Sequence, residues 1–211
     1  MLWMYGVAAL CLLVCLPLHL HYKAALRFRL SAAFKSLGTL CSASMALTAA
    51  VRLDPVCWIC FAALLIYSAA DWTLEFRLDL GVGLFLVGHV CSIAFFTKRY
   101  PVSAVHLICA VFLLAVIAFI LYRWRNQIGK RMPLFAVYGV ALSAMSACAV
   151  GGLTAHNTAG LLTAAAGMLF YISDVILCAG LLFSADRSVD WAVMITYYVS
   201  CLLIGFSCLT G

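Results

Sequence analysis

Eight times along the chain a long apolar run ends in a charge, a proline or a glycine-containing break: residues 2–20, 31–51, 56–75, 80–97, 102–122, 133–152, 158–183 and 190–209. A helix rising about 1.5 Å per residue needs roughly twenty apolar residues to cross hydrocarbon, and each run is close to that length. Peptide groups inside lipid find no water to bond, so spans of this length and composition must satisfy them internally, as helices. Charged residues make up 9% of the chain against 67% hydrophobic, and the breaks are too short to fold as anything separate. The expected fold is an all-α integral membrane protein: eight transmembrane helices in one bundle, a single polytopic transmembrane domain over residues 1–211.

The first run has no basic residue before it and no small-x-small cleavage pattern, whereas Lys23, Arg27 and Arg29 follow it; it reads as a retained helix. Of the thirteen basic residues, nine fall in the breaks after the first, third, fifth and seventh runs, three lie on the opposite side, and Lys35 lies within a run. The positive-inside rule then places both termini outside and those four breaks in the cytoplasm. The net charge of +6 is accounted for by this asymmetry, so no nucleic-acid partner is implied. Its densest part, "YRWRNQIGKR" (122–131), is placed to touch anionic lipid. The eleven cysteines are scattered through apolar runs and read as small hydrophobes; Cys57 and Cys60 form one CxxC with no second pair to complete a zinc site.

Against this background the polar residues inside the runs stand out. Asp174 sits in "LLTAAAGMLFYISDVILCAGLLF", where an ionised carboxylate costs several kcal/mol, at least about 2.5 on insertion scales, unless partnered or used. With helices alternating in direction, Lys35, Asp71, His89, Tyr138, Asp174, Tyr197 and Tyr198 fall near one depth, toward the basic side, from six different runs. Helical spacing sets Lys35 on a face with Gly38, Thr39 and Ser42, Asp71 under Tyr67 and Ser68, and Asp174 on a stripe with Tyr171, Gly167 and Thr163. Small and hydroxylated faces are the ones membrane helices turn toward each other. Glu75, Arg77 and Asp79 beyond Asp71 read as a solvated loop. "YSAADWTL" (67–74) and "YISDVIL" (171–177) echo each other in the third run of each half, as expected for two parallel four-helix repeats with Asp71 and Asp174 facing across the centre.

Two carboxyls in a low-dielectric site resist ionising together, so one can remain a proton donor while the other acts as base. That favours general acid–base hydrolysis over the alternatives. Zinc chemistry wants three protein ligands, and His19, His21, His106 and His156 fall at or beyond the ends of the runs, leaving His89 alone in the layer. Serine hydrolysis lacks a GxSxG turn, and Ser173 beside Asp174 does not face it on a helix. No metal and no cofactor are expected. A proton-coupled transporter would use the same buried carboxylates and remains open.

The residues also carry a resemblance. "FKSLGTL" with Lys35 and Thr39, "SAADWTL" with Asp71, "FLVGHVCSIAFF" with Phe85 and His89, "VYGVALSAM" with Tyr138 and Gly139, "GMLFYISDVIL" with Ser173 and Asp174, and "ITYYVSCLLI" with Tyr197 and Tyr198 span nearly the whole chain. In their order and spacing they resemble the lysoplasmalogenase, or YhhN-like, family of eight-helix membrane proteins. The chain departs from the family pattern at Ala70, Ser92 and Cys201, where members usually carry Gly, Tyr and Gln. The resemblance implies hydrolysis of the vinyl ether bond of a lysophospholipid bearing one alkenyl chain, giving a fatty aldehyde and glycerophosphoethanolamine or glycerophosphocholine. It implies Asp71 and Asp174 as the acid–base pair, with Lys35 holding the phosphate or tuning an aspartate. Thr39, Tyr67, His89, Tyr138, Ser173, Tyr197 and Tyr198 would position substrate and water, with membrane lipids as the surrounding partners.

Overall fold

The computed structural model describes residues 2–183 and 187–210, which are helical apart from short turns. The first rod consists of α1 (Leu2–Ala9), a π-helical stretch (Leu10–Cys15) and α2 (Leu16–Ala24). There follow α3 (Phe28–Arg52), α4 (Cys57–Leu74), α5 (Leu78–Arg99), α6 (Ala104–Ile128), α7 (Met132–Val150), α8 (Thr158–Phe183) and α9 (Arg187–Leu209). Among the described residues seven stretches are long and apolar enough to cross a membrane. One of them, Ala104–Ala155, runs for 52 residues, about 78 Å if it were one straight helix. It is not straight. Gly129, at φ 57°, takes up a backbone conformation that side chains disfavour, a single turn at Gly129–Arg131 follows, and α7 folds back onto α6.

Local chemistry sets the other ends. Asp54 Oδ1 accepts the Val56 N–H at 2.9 Å between α3 and α4. Ser103 caps α6, and His106 Nδ1 accepts the Ser103 N–H at 3.1 Å in return. Asn157 Oδ1 accepts the Gly160 N–H at 2.8 Å in the first turn of α8. His19 and His106, expected at the fringes, are in fact buried. His19 lies inside α2 with Nδ1 3.0 Å from the Ser31 carbonyl, because the π-helical stretch and α2 carry this rod against α3.

Packing closes six helices into a ring in the order α3, α4, α5, α7, α8, α9 and back to α3; the α1–α2 rod lies outside on α3, and α6 lies outside on α7. Lipid gives apolar helices little reason to prefer one another, so the joints rely on close approach and hydrogen bonds. Ser36 and Ser68 exchange them across α3 and α4: each hydroxyl donates to the other residue's carbonyl, at 2.8 and 3.0 Å. Ser200 donates to the Ala166 carbonyl between α9 and α8 at 2.8 Å. At Gly38 an added Cβ would lie 2.5 Å from Tyr198 Cζ, and at Gly88 it would lie 2.3 Å from Tyr67 Cε1; these two glycines let phenols lie flat on a neighbouring backbone.

Candidate active site

All six ring helices send a polar or aromatic side chain into the ring, and these side chains form two hydrogen-bonded groups. The first surrounds Asp71 on α4, which is fully buried. Its Oδ2 accepts from Thr39 Oγ1 at 2.5 Å on α3 and from the Tyr197 hydroxyl at 2.8 Å on α9. Lys35 Nζ stands 3.6 Å from Oδ1, close enough for charge pairing but beyond a good hydrogen bond; Oδ1 has no hydrogen-bond partner among the described residues.

The second group ends on Asp174 of α8. Tyr138 of α7 donates a hydrogen bond to Asp174 Oδ2. With that proton committed, the Tyr138 oxygen accepts from His89 Nε2 at 3.1 Å. A neutral imidazole that donates through one nitrogen accepts through the other, so Nδ1 receives the Tyr67 hydroxyl proton at 2.8 Å. The Tyr67 oxygen in turn receives Ser92 Oγ at 3.0 Å. Ser92, Tyr67, His89 and Tyr138 thus form one chain whose donors all point toward Asp174. Ser92, one of the departures from the expected pattern, is small enough to end the chain with a hydroxyl.

Between the groups lies an aromatic core. Phe170 is 5.1 Å from Tyr67, 5.2 Å from His89 and 5.4 Å from Tyr197, measured between ring centroids, and Phe85 touches Tyr67, Phe170 and Tyr197. Asp71 and Asp174 therefore occupy opposite helices of the ring without a shared hydrogen-bond network.

A cavity reaches the second group alone. It encloses about 70 Å³ and lies among α5, α6, α7 and α8 with the end of α4. Leu78, Val82 and Phe85 form one wall at i, i+4, i+7 spacing on α5; Ile117 and Leu121 form another on α6. Leu74, Leu78, Phe135 and Leu181 stand at its shallow end, on the side of the basic breaks. Apart from Cys178, the polar side chains on its lining are Tyr138 and Asp174, with Leu142 a turn deeper on α7. The cavity is an apolar slot with a carboxyl in its wall.

Of the residues expected at a site, then, Asp174 and Tyr138 face the cavity, and His89 and Tyr67 stand behind them. Asp71, Lys35, Thr39 and Tyr197 form the separate group. Ser173 donates to the Val193 carbonyl at 3.0 Å, and Tyr198 donates to the carbonyls of Phe34 and Lys35 at 3.2 and 3.1 Å. Both act as ties to a neighbouring helix. Sequence reasoning missed the cavity walls on α5 and α6, since apolar residues in an apolar run carry no signal of what they enclose. Among the described residues no three His, Cys, Asp or Glu side chains converge as metal ligands would, and all eleven cysteines are free thiols.

A chain of membrane-length helices with this carboxyl-centred pair of groups has a match in one sequence family, whose profile covers residues 30–208. The chain belongs to the YhhN family. That family includes the lysoplasmalogenases, and its match takes in every helix of the ring except the first two residues of α3 and the last residue of α9. No curated protein and no solved structure matches the chain.

Proposed function

We propose that this YhhN-family protein is a membrane hydrolase that cleaves the vinyl ether bond of lysoplasmalogens, releasing a fatty aldehyde and a glycerophosphoethanolamine or glycerophosphocholine. The observation that carries the reading is the apolar slot whose wall presents Asp174, hydrogen-bonded by Tyr138. A single alkenyl chain would line Val82, Ile117 and Leu121, with its enol ether beside the carboxyl.

The chemistry needs a proton first and water second. Protonated Asp174 delivers its proton to the carbon β to the ether oxygen, and the α carbon becomes an oxocarbenium ion. The carboxylate left behind stabilises that cation and takes a proton from the water that adds to it. The hemiacetal then collapses to aldehyde and alcohol, so one water is consumed and no other reactant is needed. Tyr138 and His89 serve this cycle by reversing. With Asp174 ionised, every donor in the chain points toward it; with Asp174 protonated, the carboxyl donates to Tyr138 and the order flips through the two nitrogens of His89 to Ser92. In this reading Asp71 is not the second half of a direct pair. It pairs with Lys35 at 3.6 Å in the separate group on the far side of the aromatic core.

Eight membrane crossings follow if the 52-residue run is counted as two, and the positive-inside rule then puts both termini outside and the cavity's shallow end at the cytoplasmic face. We also read the ring as two parallel four-helix repeats. Three correspondences support this. In the ring α3, α4 and α5 stand opposite α7, α8 and α9. Each aspartate is held by the second helix of its own half and the fourth of the other: Asp71 by α3 and α9, Asp174 by α7 and α5. The ion pairs Asp79–Arg131 and Asp190–Lys23 each join the start of one half's fourth helix to the end of the other half's first break or rod.

The test is aldehyde release by the purified protein given lysoplasmalogen, with Asp174→Asn beside it; the variant should lose at least about 100-fold in rate. A second reading, a proton-coupled carrier, draws on the hydrogen-bond chain from Ser92 to Asp174. It predicts no aldehyde from any vinyl ether lipid and a substrate-dependent proton flux in liposomes.

A further inference from the structure

The resemblance implied that Lys35 holds the phosphate or tunes an aspartate; Lys35 is paired with Asp71 and absent from the cavity lining. The slot itself holds no cation. A phosphate attached to a chain inside it must be met at the shallow end, where Arg77 adjoins Leu78 and Arg131 stands four positions before Phe135. Arg131 ends the turn that precedes α7, four positions before Phe135 and seven before Tyr138, two of the α7 residues that line the cavity. Its Nε is 3.1 Å from Oδ1 of Asp79, which adjoins the lining residue Leu78, and both side chains are more than half exposed. The pair thus sits beyond Leu78 and Phe135, next to Lys130.

We infer that Arg131, released from Asp79, binds the phosphate of a single-chain glycerophospholipid whose glycerol lies along the shallow part of the slot and whose chain runs on past Asp174, and so sets the preference for phosphorylated over phosphate-free lipids. The inference rests on the hydrolase reading above. The spacing agrees with the geometry of such a lipid. Tyr138 lies seven positions beyond Arg131, about 10 Å at helical rise. Six bonds separate the phosphorus from the first vinyl carbon of a 1-alkenyl lysophospholipid, about 7 Å at roughly 1.2 Å per bond in an extended chain. The arginine side chain spans the difference with ease. Guanidinium suits the task because its fork can pair with two phosphate oxygens, while an exposed ion pair with Asp79 is weak enough to exchange.

The molecule supplies its own control. Lys23 and Asp190 form the corresponding ion pair, at 2.7 Å, in a second surface depression at the end of α2 and the start of α9, away from Asp174. If Arg131 were only one of two structural ties, neutralising either pair would have the same effect.

The experiment compares kcat/KM of the full-length protein for a 1-alkenyl lysophospholipid and for the matching 1-alkenylglycerol. Arg131→Gln should erase about ten-fold of the preference for the phosphorylated lipid, mainly through KM, while Lys23→Gln keeps it and Asp79→Asn maintains or increases it. Thermal stabilisation by non-cleavable 1-alkyl lysophospholipid against 1-alkylglycerol reads the same preference without turnover. It separates a failed hydrolase from a failed anchor: no aldehyde, but an Arg131-dependent stabilisation by the phosphorylated analogue, sinks the first and keeps the second. A preference unchanged in Arg131→Gln, or lost equally in Lys23→Gln, overturns the inference.

Discussion

Removing one charge of the Lys35–Asp71 pair should destabilise the bundle, and removing both should not. At 3.6 Å, two unit charges attract by about 4–5 kcal/mol with an effective dielectric constant near 20. Asp71 is fully buried and the Lys35 side chain is only 9% exposed, so an orphaned partner has little water to turn to. Breaking such a pair from one side costs about 3–5 kcal/mol; the slight exposure of Lys35 sets the expectation for Asp71→Asn at the lower end, about 3 kcal/mol. The asparagine oxygen still accepts from Thr39 and Tyr197, so those two bonds survive. In Lys35→Met with Asp71→Asn the charges leave together, and the double variant should return to within about 1 kcal/mol of the parent. Unfolding in detergent titrated with dodecyl sulfate, followed by helical circular dichroism, gives all four corners of the cycle. Single variants that each cost under about 0.5 kcal/mol and simply add would refute the reasoning. The stable double variant then serves a second purpose, since its rate of aldehyde release reports what Asp71 and Lys35 contribute to the chemistry apart from folding.

Tyr138→Phe removes the donor to Asp174 and leaves His89 Nε2 unpartnered in the core, so stability should fall by about 1–3 kcal/mol and aldehyde release by at least about ten-fold; an unchanged rate would separate Tyr138 from the reaction. Gly88→Ala sets a methyl 2.3 Å from Tyr67 Cε1, and should cost about 1–3 kcal/mol in the same unfolding assay because a fully buried ring must move. Leu121→Trp narrows the slot midway, so the rate with long alkenyl chains should drop more than the rate with short ones; equal losses would put the chain elsewhere.

The expected spans and the observed helices coincide to within a few residues through most of the chain, because lipid allows an apolar stretch of this length one satisfactory backbone arrangement. The polar layer was legible for the same reason: a lysine, two aspartates and a histidine are expensive in hydrocarbon, so each one marks the ring interior wherever it falls. Six runs were expected to contribute to that layer, and the same six helices form the closed ring. What stayed hidden is how those groups divide. Sequence spacing brings Asp71 and Asp174 to one depth, but only packing shows Phe85 and Phe170 standing between them, Ser173 turned to the Val193 carbonyl, and Tyr198 spent on holding α9 to α3. Periodicity along one helix carries the direction of a side chain; which neighbour it meets depends on residues a hundred or more positions away, as with Asp71 and Tyr197. The cavity was hidden for a deeper reason. Its walls are leucine, isoleucine, valine and phenylalanine, the same residues that face lipid elsewhere, and only the positions of α5 to α8 decide which of them enclose a space.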